Sequence, residues 1–293
     1  MAEPMIVTRF APSPTGHLHL GHLHSALLGW LAAKQQRDGR FLLRIEDIDA
    51  ARCRPEFEPA IIADLHWVGI DWWGEIRRQS DHLNDYRAGL DRLQAQGLIY
   101  PCFCSRKDIA AAASAPHGSE GPLYPGTCRG LPPEQAAERQ TRGDPYALRF
   151  HSRHAAEIAG PLTFHDHLQG KVCVDPDLLG DVVLARRDAP ASYHLCVTLD
   201  DHRQGVTLVT RGVDLLPATH VHRLLQAVLG LAVPTYCHHL LLANDAGQRL
   251  AKRDKALSLR AMRENGMSIT EVRTLAGIDR INEMLKKLMT SQN

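Results

Sequence analysis

Apolar positions follow two rhythms along the chain, and their alternation predicts a sheet with helical crossovers. IVTRFAP at residues 6–12, apolar on either side of Thr8-Arg9, reads as a buried strand. Residues 20–36 then place Leu20, Leu23, Leu27, Leu28 and Leu31 at helical spacing. FLLRIEDID at 41–49 is a second apolar strand that ends in acids. Pro55 opens a helix through PEFEPAIIADLHWVGI, and Ser80-Asp81 is expected to cap another that runs to Gln96 before a stop at Gly97. Strand, helix, strand, helix is the order of a parallel sheet.

From Tyr100 to about Gly130 the rhythm breaks into a stretch rich in Cys, Gly, Pro and Ser, which reads as an inserted module. Short strands are expected at YALRF, PLTFHD, KVCV and DVVLARRD, ending in Pro190. Apolar segments resume in YHLCVTLDDHRQGVTLVTRGVDLL. A helix from about Leu215 to Leu229 is closed by Gly230 and Pro234, and the tail from 255 reads as short amphipathic helices. No internal repeat is present.

Composition adds bounds. The 293 residues, 44% of them apolar, suffice for a sizeable core with two or three modules. No run approaches the roughly 20 apolar residues of a membrane span, and MAEPMIVTRF lacks the parts of a signal peptide. A soluble protein with a cytoplasmic address is therefore expected, with a monomer as the default. With 34 basic against 33 acidic residues there is no global field to draw in nucleic acid, so RNA contacts would have to come from local patches. Of the seven cysteines, Cys53, Cys173, Cys196 and Cys237 stand alone and read as buried or incidental thiols rather than a disulfide framework.

The chemistry concentrates in RFAPSPTGHLHLGH, residues 9–22, between the first strand and the first helix. A strand that passes through a Gly-containing loop into a helix presents unpaired amides and a positive dipole end, for which phosphate is the natural guest. The prolines fix the loop's path, and Gly16 and Gly21 permit close approach. His19 and His22, three apart, lie on one face of a first helical turn and can address the same ligand. A rigid connection with two exposed histidines satisfies the same spacing.

His19-Leu20-Gly21-His22 resembles the HIGH signature of class I aminoacyl-tRNA synthetases in the form used by the glutamyl group, and FLLRIEDID resembles the strand that follows it there. The resemblance implies an α/β fold: a Rossmann-like parallel-sheet catalytic domain with a zinc-containing insertion, a small C-terminal helical region and no anticodon-binding domain. It divides the chain into the first half of the catalytic domain at 1–100, the insertion and connecting strands at 101–190, the second half at 191–240, and a mobile-loop and helical segment at 241–293. It implies ATP with Mg over the helix start, contacted by His19, Gly21 and His22, and attack of an amino-acid carboxylate on the α-phosphorus. In GQRLAKRDKA, Lys252 takes the place of the central lysine of the KMSKS loop and joins His19 and His22 as catalytic. Ala251 replaces the usual serine and Arg249 a common lysine, which puts that loop's geometry in question.

An amino acid needs an anionic or dipolar partner for its ammonium, and a second carboxylate requires arginine. By resemblance, Arg9, Ala11, Ser13, Glu46, Tyr193 and Arg211 occupy the family's glutamate-binding positions. Glu46 is then the ammonium partner, Arg9 and Arg211 clamp a carboxylate, and Tyr193 shapes the pocket. Read alone, Glu46 is equally a local ion-pair partner of Arg44 or Arg52.

Cys102, Cys104 and Cys128 are the only sequence-local thiol group, one ligand short of a zinc site; chemistry alone offers His117 as the fourth. The resemblance implies Tyr124 instead, in a closed, structural zinc site. It also implies the acceptor: the chain's organisation is similar to the short members of the glutamyl group, which esterify glutamate onto the queuosine in the anticodon stem-loop of tRNA(Asp). Arg106, Lys107, Arg129, Arg186 and Arg187 are then candidate phosphate contacts. A minimal synthetase charging tRNA(Glu), or a non-catalytic nucleotide- or RNA-binding paralogue, stays open at this level.

Overall fold

The computed structural model describes residues 5–105, 107–109, 123–187, 189–242 and 258–290. The first half consists of β1 (Val7–Phe10), α1 (Leu20–Lys34), β2 (Arg40–Ile45), α2 (Phe57–Trp67), β3 (Arg77–Arg78) and α3 (Leu83–Ala95). All four residues of β1 are buried, the polar Thr8 and Arg9 included. β1 pairs with β2 and β2 with β3, both parallel.

One expectation fails locally. Ser80 does not cap α3: its N–H and hydroxyl both donate to Asp47 (2.8 and 2.6 Å), and a short 3₁₀ turn, Gln79–His82, precedes the helix. A carboxylate in reach offers Ser80 two partners at once, against the single amide it would meet as a cap.

β4 (Ile99–Cys102), α4 (Pro133–Thr141), β5 (Ala147–Phe150), α5 (Ser152–Ala159), β6 (Thr163–Asp166), β7 (Gly170–Cys173) and β8 (Val183–Arg186) follow. β4, β5 and β8 form an antiparallel sheet. The chain continues through α6 (Tyr193–Arg203), β9 (Leu208–Gly212), α7 (Leu216–Leu229) and β10 (Thr235–His239). β10 pairs parallel with β9 on one side and β6 on the other, and β7 closes that edge antiparallel. Part of the 101–190 segment thus completes the main sheet.

The Thr207 N–H donates to the Val7 carbonyl at 2.9 Å and the Arg9 guanidinium reaches the Thr210 carbonyl at 3.4 Å. These bonds lay β9 beside β1, running the same way. Strands therefore spread in opposite directions from the β1/β9 junction, and ligands in open α/β sheets bind above such a reversal, at the carboxyl ends of the strands. Gly29 lets α1 press onto this junction: a Cβ there would lie 2.9 Å from Thr210 Oγ1, and the Thr8 hydroxyl donates to its carbonyl at 2.8 Å.

The main core joins α1 and α2 to α8 (Leu259–Glu264), α9 (Ile269–Leu275) and α10 (Ile278–Thr290) through Leu27, Ile61, Met262, Val272 and Ile281. A second core, with Tyr86, Leu195 and Leu225, holds α3, α6 and α7 against the antiparallel sheet. Among the described residues no helix is long and apolar enough to cross a membrane.

Candidate active site

The loop after β1 is anchored through proline carbonyls, which need no N–H of their own. Glu46 N–H donates to Pro12 (3.0 Å) and Arg54 N–H to Pro14 (2.9 Å). The loop delivers His19 to the N-cap of α1 in extended conformation. His19 Nδ1 accepts from the Gly21 N–H at 3.1 Å, and His22 Nδ1 accepts from the His19 N–H at 3.3 Å. This is a reciprocal capping box made by imidazoles, with the rings stacked 3.7 Å apart. An amide N–H only donates, so each Nδ1 is bare and the ring proton of the neutral form sits on Nε2. Glycine at 21 leaves room for this cap: a Cβ would lie 3.1 Å from His19 Cε1 and press on the ring.

Beneath the loop lies a buried ion network of which sequence reasoning reached only the Arg44–Glu46 pair. Arg44, fully buried, donates to Asp201 Oδ1 and Gln204 Oε1, each at 2.8 Å, and reaches Glu46 Oε1 at 3.4 Å. Arg9 Nε donates to the same Asp201 oxygen at 3.0 Å. Asp200 accepts from Arg77, Gln79 and Tyr86. Burial pushes the Asp201 carboxyl up, but Arg9 and Arg44 outweigh it and hold it below the usual range. For Glu46 burial wins over Arg44 and Arg9, and the carboxyl is pushed up to about 7. The signal was present in the acidic pair of LDDHRQ, a charge doublet inside an apolar stretch.

Arg211, also buried, is held differently. Its Nε donates to His238 Nε2 (3.0 Å), one Nη to the Tyr193 hydroxyl (3.1 Å) and the other to Thr219 Oγ1 (2.6 Å), with His222 Nδ1 at 3.4 Å from both. Burial and the guanidinium itself keep the imidazoles neutral. His194 is pushed down to about 4, His222 well below the ordinary value, and His238 below it despite Asp166. Among the described residues no carboxylate pairs with Arg211, so the pocket holds a desolvated cation without a counter-charge. Such a group demands an anion.

A cleft of about 1250 Å³ brings these parts together. Its walls include Arg9, Ala11, Ser13, His19, Gly21, His22, Glu46, Tyr193 and Arg211, nine of the residues singled out from sequence. Lys252 lies outside the described residues, as do Arg249 and Ala251. Leu242 and Ser258, which flank that segment, both line the cleft, and Leu259 N–H donates to the Leu18 carbonyl beside the α1 start.

The thiols of Cys102, Cys104 and Cys128 lie within 4.8 Å of one another and could hold a metal ion. Cys104 Sγ is 3.5 Å from Cys128 Sγ, close to the ~3.8 Å that tetrahedral Zn–S bonds of about 2.3 Å impose. Tyr124 is buried against this cluster, and its oxygen accepts the Cys128 N–H at 2.7 Å. The Arg149 guanidinium covers its ring at 3.8 Å. His117 and Arg106 lie outside the described residues. Of the other candidate RNA contacts, Arg129 is engaged by Asp181 at 2.8 Å, while Lys107, Arg186 and Arg187 are exposed.

Residues 5–290 match the model for tRNA synthetases class I (E and Q), catalytic domain. A protein named glutamyl-Q tRNA(Asp) synthetase from Rhodobacter capsulatus is 49% identical over 284 residues, 93% of this chain and 100% of its own. One of the same name from Symbiobacterium thermophilum is 46% identical over 90% of this chain and 83% of its own. Among solved structures, glutamate-tRNA synthetase from Elizabethkingia anophelis superposes with a TM-score of 0.74 at 28% identity over 90% of this chain, which spans about half (54%) of that longer protein. The chain belongs to the class I tRNA synthetases of the E and Q type, and what it holds is their catalytic domain.

Proposed function

We propose that the cleft joins glutamate to ATP as glutamyl-adenylate and passes the glutamate to the queuosine at the wobble position of tRNA(Asp). Arg211 carries the amino-acid part of this reading: a buried cation surrounded by neutral partners calls for a carboxylate, and Arg9 lies in the same cleft to share it. Glu46 takes the ammonium. The acceptor is supported by the 49% identity that extends over the full length of a relative named for it.

In the first step an α-carboxylate oxygen of glutamate attacks the α-phosphorus of ATP, and the bond to pyrophosphate breaks. His19 and His22, with Nδ1 engaged in the capping box, offer Nε2–H donors to phosphate oxygens without giving up a proton. Lys252 would meet the charge growing on pyrophosphate, which Mg arriving with ATP would also help to neutralise. In the second step an acceptor hydroxyl attacks the adenylate carbonyl, AMP leaves, and its phosphate can take the hydroxyl proton. No protein atom is bonded to substrate, so rate comes from alignment and preset charge. Zinc held by Cys102, Cys104, Tyr124 and Cys128 would be closed to substrate and would fasten the ends of the inserted loop. Burial and the neighbouring Cys102 push the Tyr124 phenol up, and the Cys128 N–H bond to its oxygen offsets them only in part, so the phenolate such a site needs would come with the metal.

The test is acceptor comparison. Purified protein receives ATP, labelled glutamate and either tRNA(Asp) bearing queuosine, tRNA(Asp) lacking it, or tRNA(Glu). Label on the first alone is expected; label on tRNA(Glu) would make the protein a minimal synthetase, and absence of glutamate-dependent ATP–pyrophosphate exchange would remove the enzymatic reading.

A further inference from the structure

Behind Arg211 lies a second layer of side chains with no counterpart among the sequence expectations. Asp166, fully buried at the end of β6, accepts the His238 Nδ1–H at 2.6 Å and the His238 backbone N–H at 3.0 Å through one carboxylate oxygen. Its other oxygen accepts the Leu168 and Gln169 amides at 2.8 and 2.9 Å. On the far side of the ring, His238 Nε2 faces the Arg211 Nε–H at 3.0 Å and the Thr219 hydroxyl, also at 3.0 Å.

Both sides of the ring require the same tautomer. A carboxylate can only accept, so Nδ1 carries the proton; a guanidinium can only donate, so Nε2 is bare. Thr219 closes a triangle by donating to Nε2 while accepting from Arg211. A second imidazole chain repeats the logic: His222 Nδ1 faces Arg211, which leaves its Nε2–H to donate to His194 Nδ1 at 3.2 Å.

We infer that Asp166 and His238 are positioning residues for amino-acid selection: the carboxylate fixes the His238 tautomer, the ring fixes Arg211, and Arg211 then accepts a carboxylate and rejects an amide. The placement of Asp166 matters as much as its charge. One ring further back, it orients Arg211 without neutralising it, whereas a carboxylate in direct contact would satisfy the guanidinium and remove its demand for an anionic ligand. The inference rests on the glutamate reading and deepens it, because the matched family takes in both E and Q enzymes. With Asp166→Asn, the new amide donates toward Nδ1, the ring proton moves to Nε2, and an N–H then opposes the Arg211 N–H. The wrong tautomer misaligns its partner even when the shape is kept.

The experiment measures glutamate KM and kcat by ATP–pyrophosphate exchange and glutamate Kd by calorimetry, for the full chain and for D166N, H238Q and D166N/H238Q. His238→Gln supplies an amide oxygen that can accept from Arg211 whatever residue 166 is. Expected for D166N is a glutamate KM and Kd raised about 10- to 100-fold, with ATP KM unchanged, kcat nearly kept, and the preference for glutamate over glutamine reduced. In the H238Q background, D166N should add less than about threefold. An unchanged glutamate Kd in folded D166N, or the same loss in both backgrounds, would overturn the inference, the latter by tracing the effect to the 166–169 turn. Should D166N fail to fold, ¹⁵N imidazole spectra of the unaltered protein decide: a proton on His238 Nδ1 supports the inference, and one on Nε2 sinks it. Missing exchange activity in the unaltered protein would discredit the enzymatic reading alone, since calorimetry and the tautomer are read independently.

Discussion

With Glu46 as the proposed partner of the ammonium, glutamate binding is expected to depend on pH in a window where few carboxylates titrate. Burial pushes its carboxyl from an ordinary 4.5 to about 7, over the opposing pull of Arg44 and Arg9. At about 1.4 kcal/mol per tenfold, holding Glu46 ionised in the empty pocket costs about 3 kcal/mol. Because the folded value lies above the unfolded one, the proton-linked stability is full below about 4.5 and is lost as pH rises through about 7. An ammonium in the pocket reverses the balance, since it pairs only with the ionised form. Glutamate Kd should therefore fall about tenfold between pH 6 and pH 8 and level off above, with proton release on binding near pH 6.5. Calorimetry in two buffers of different ionisation enthalpy reads both quantities. Glutamate should also raise the melting temperature more at pH 8 than at pH 6. Glu46→Gln should abolish the pH dependence and weaken binding about 10- to 100-fold. A Kd flat from pH 6 to pH 8 without proton release would refute the reasoning, and so would a glutamine variant that keeps the slope.

Three further outcomes are expected. Arg9→Ala and Lys252→Ala should each remove most glutamate-dependent pyrophosphate exchange; the Arg9 variant should still fold, because Asp201 keeps Arg44 at 2.8 Å, and near-normal exchange in either folded variant would cancel that residue's role. Cys102→Ser should lose its bound metal by elemental analysis and lower the melting temperature, whereas Cys173→Ser, an exposed thiol remote in sequence from the cluster, should change neither. Gly29→Ala must displace Thr210 Oγ1 and should cost about 1–2 kcal/mol net of the alanine's better helix propensity, measured by urea unfolding.

The sequence was most informative where one local rule governed. The buried strand β1, the leucine spacing of α1 and the Gly230 stop after Leu229 all appear as read, Gly230 with a left-handed φ of 63°. The β1-to-α1 turn announced itself through residue types that few other settings require. What escaped reading depends on contacts between distant segments. YHLCVTLDD lacks a clear helical stripe because α6 is buried on several faces, Leu195, Val197 and Asp200 alike. Asp166, Thr219 and His238 each look ordinary in isolation; their meaning comes from three different elements meeting behind Arg211. Ser80 shows the reverse case, a valid capping signal overridden by a carboxylate that folding brings within reach.

The reversal of strand order between β1 and β9 has a consequence for how the pocket comes into being. Its two arginines enter from neighbouring strands some 200 residues apart in sequence, yet closing a loop of that length costs only about 2 kcal/mol more than closing one a tenth as long. A chain synthesised only as far as α3 would have Arg9 and Arg44 without Asp201, and a fragment starting at α6 would have Arg211 without the loop that faces it across the cleft. Neither half carries all the walls of the cleft, which exists only once β9 has docked beside β1.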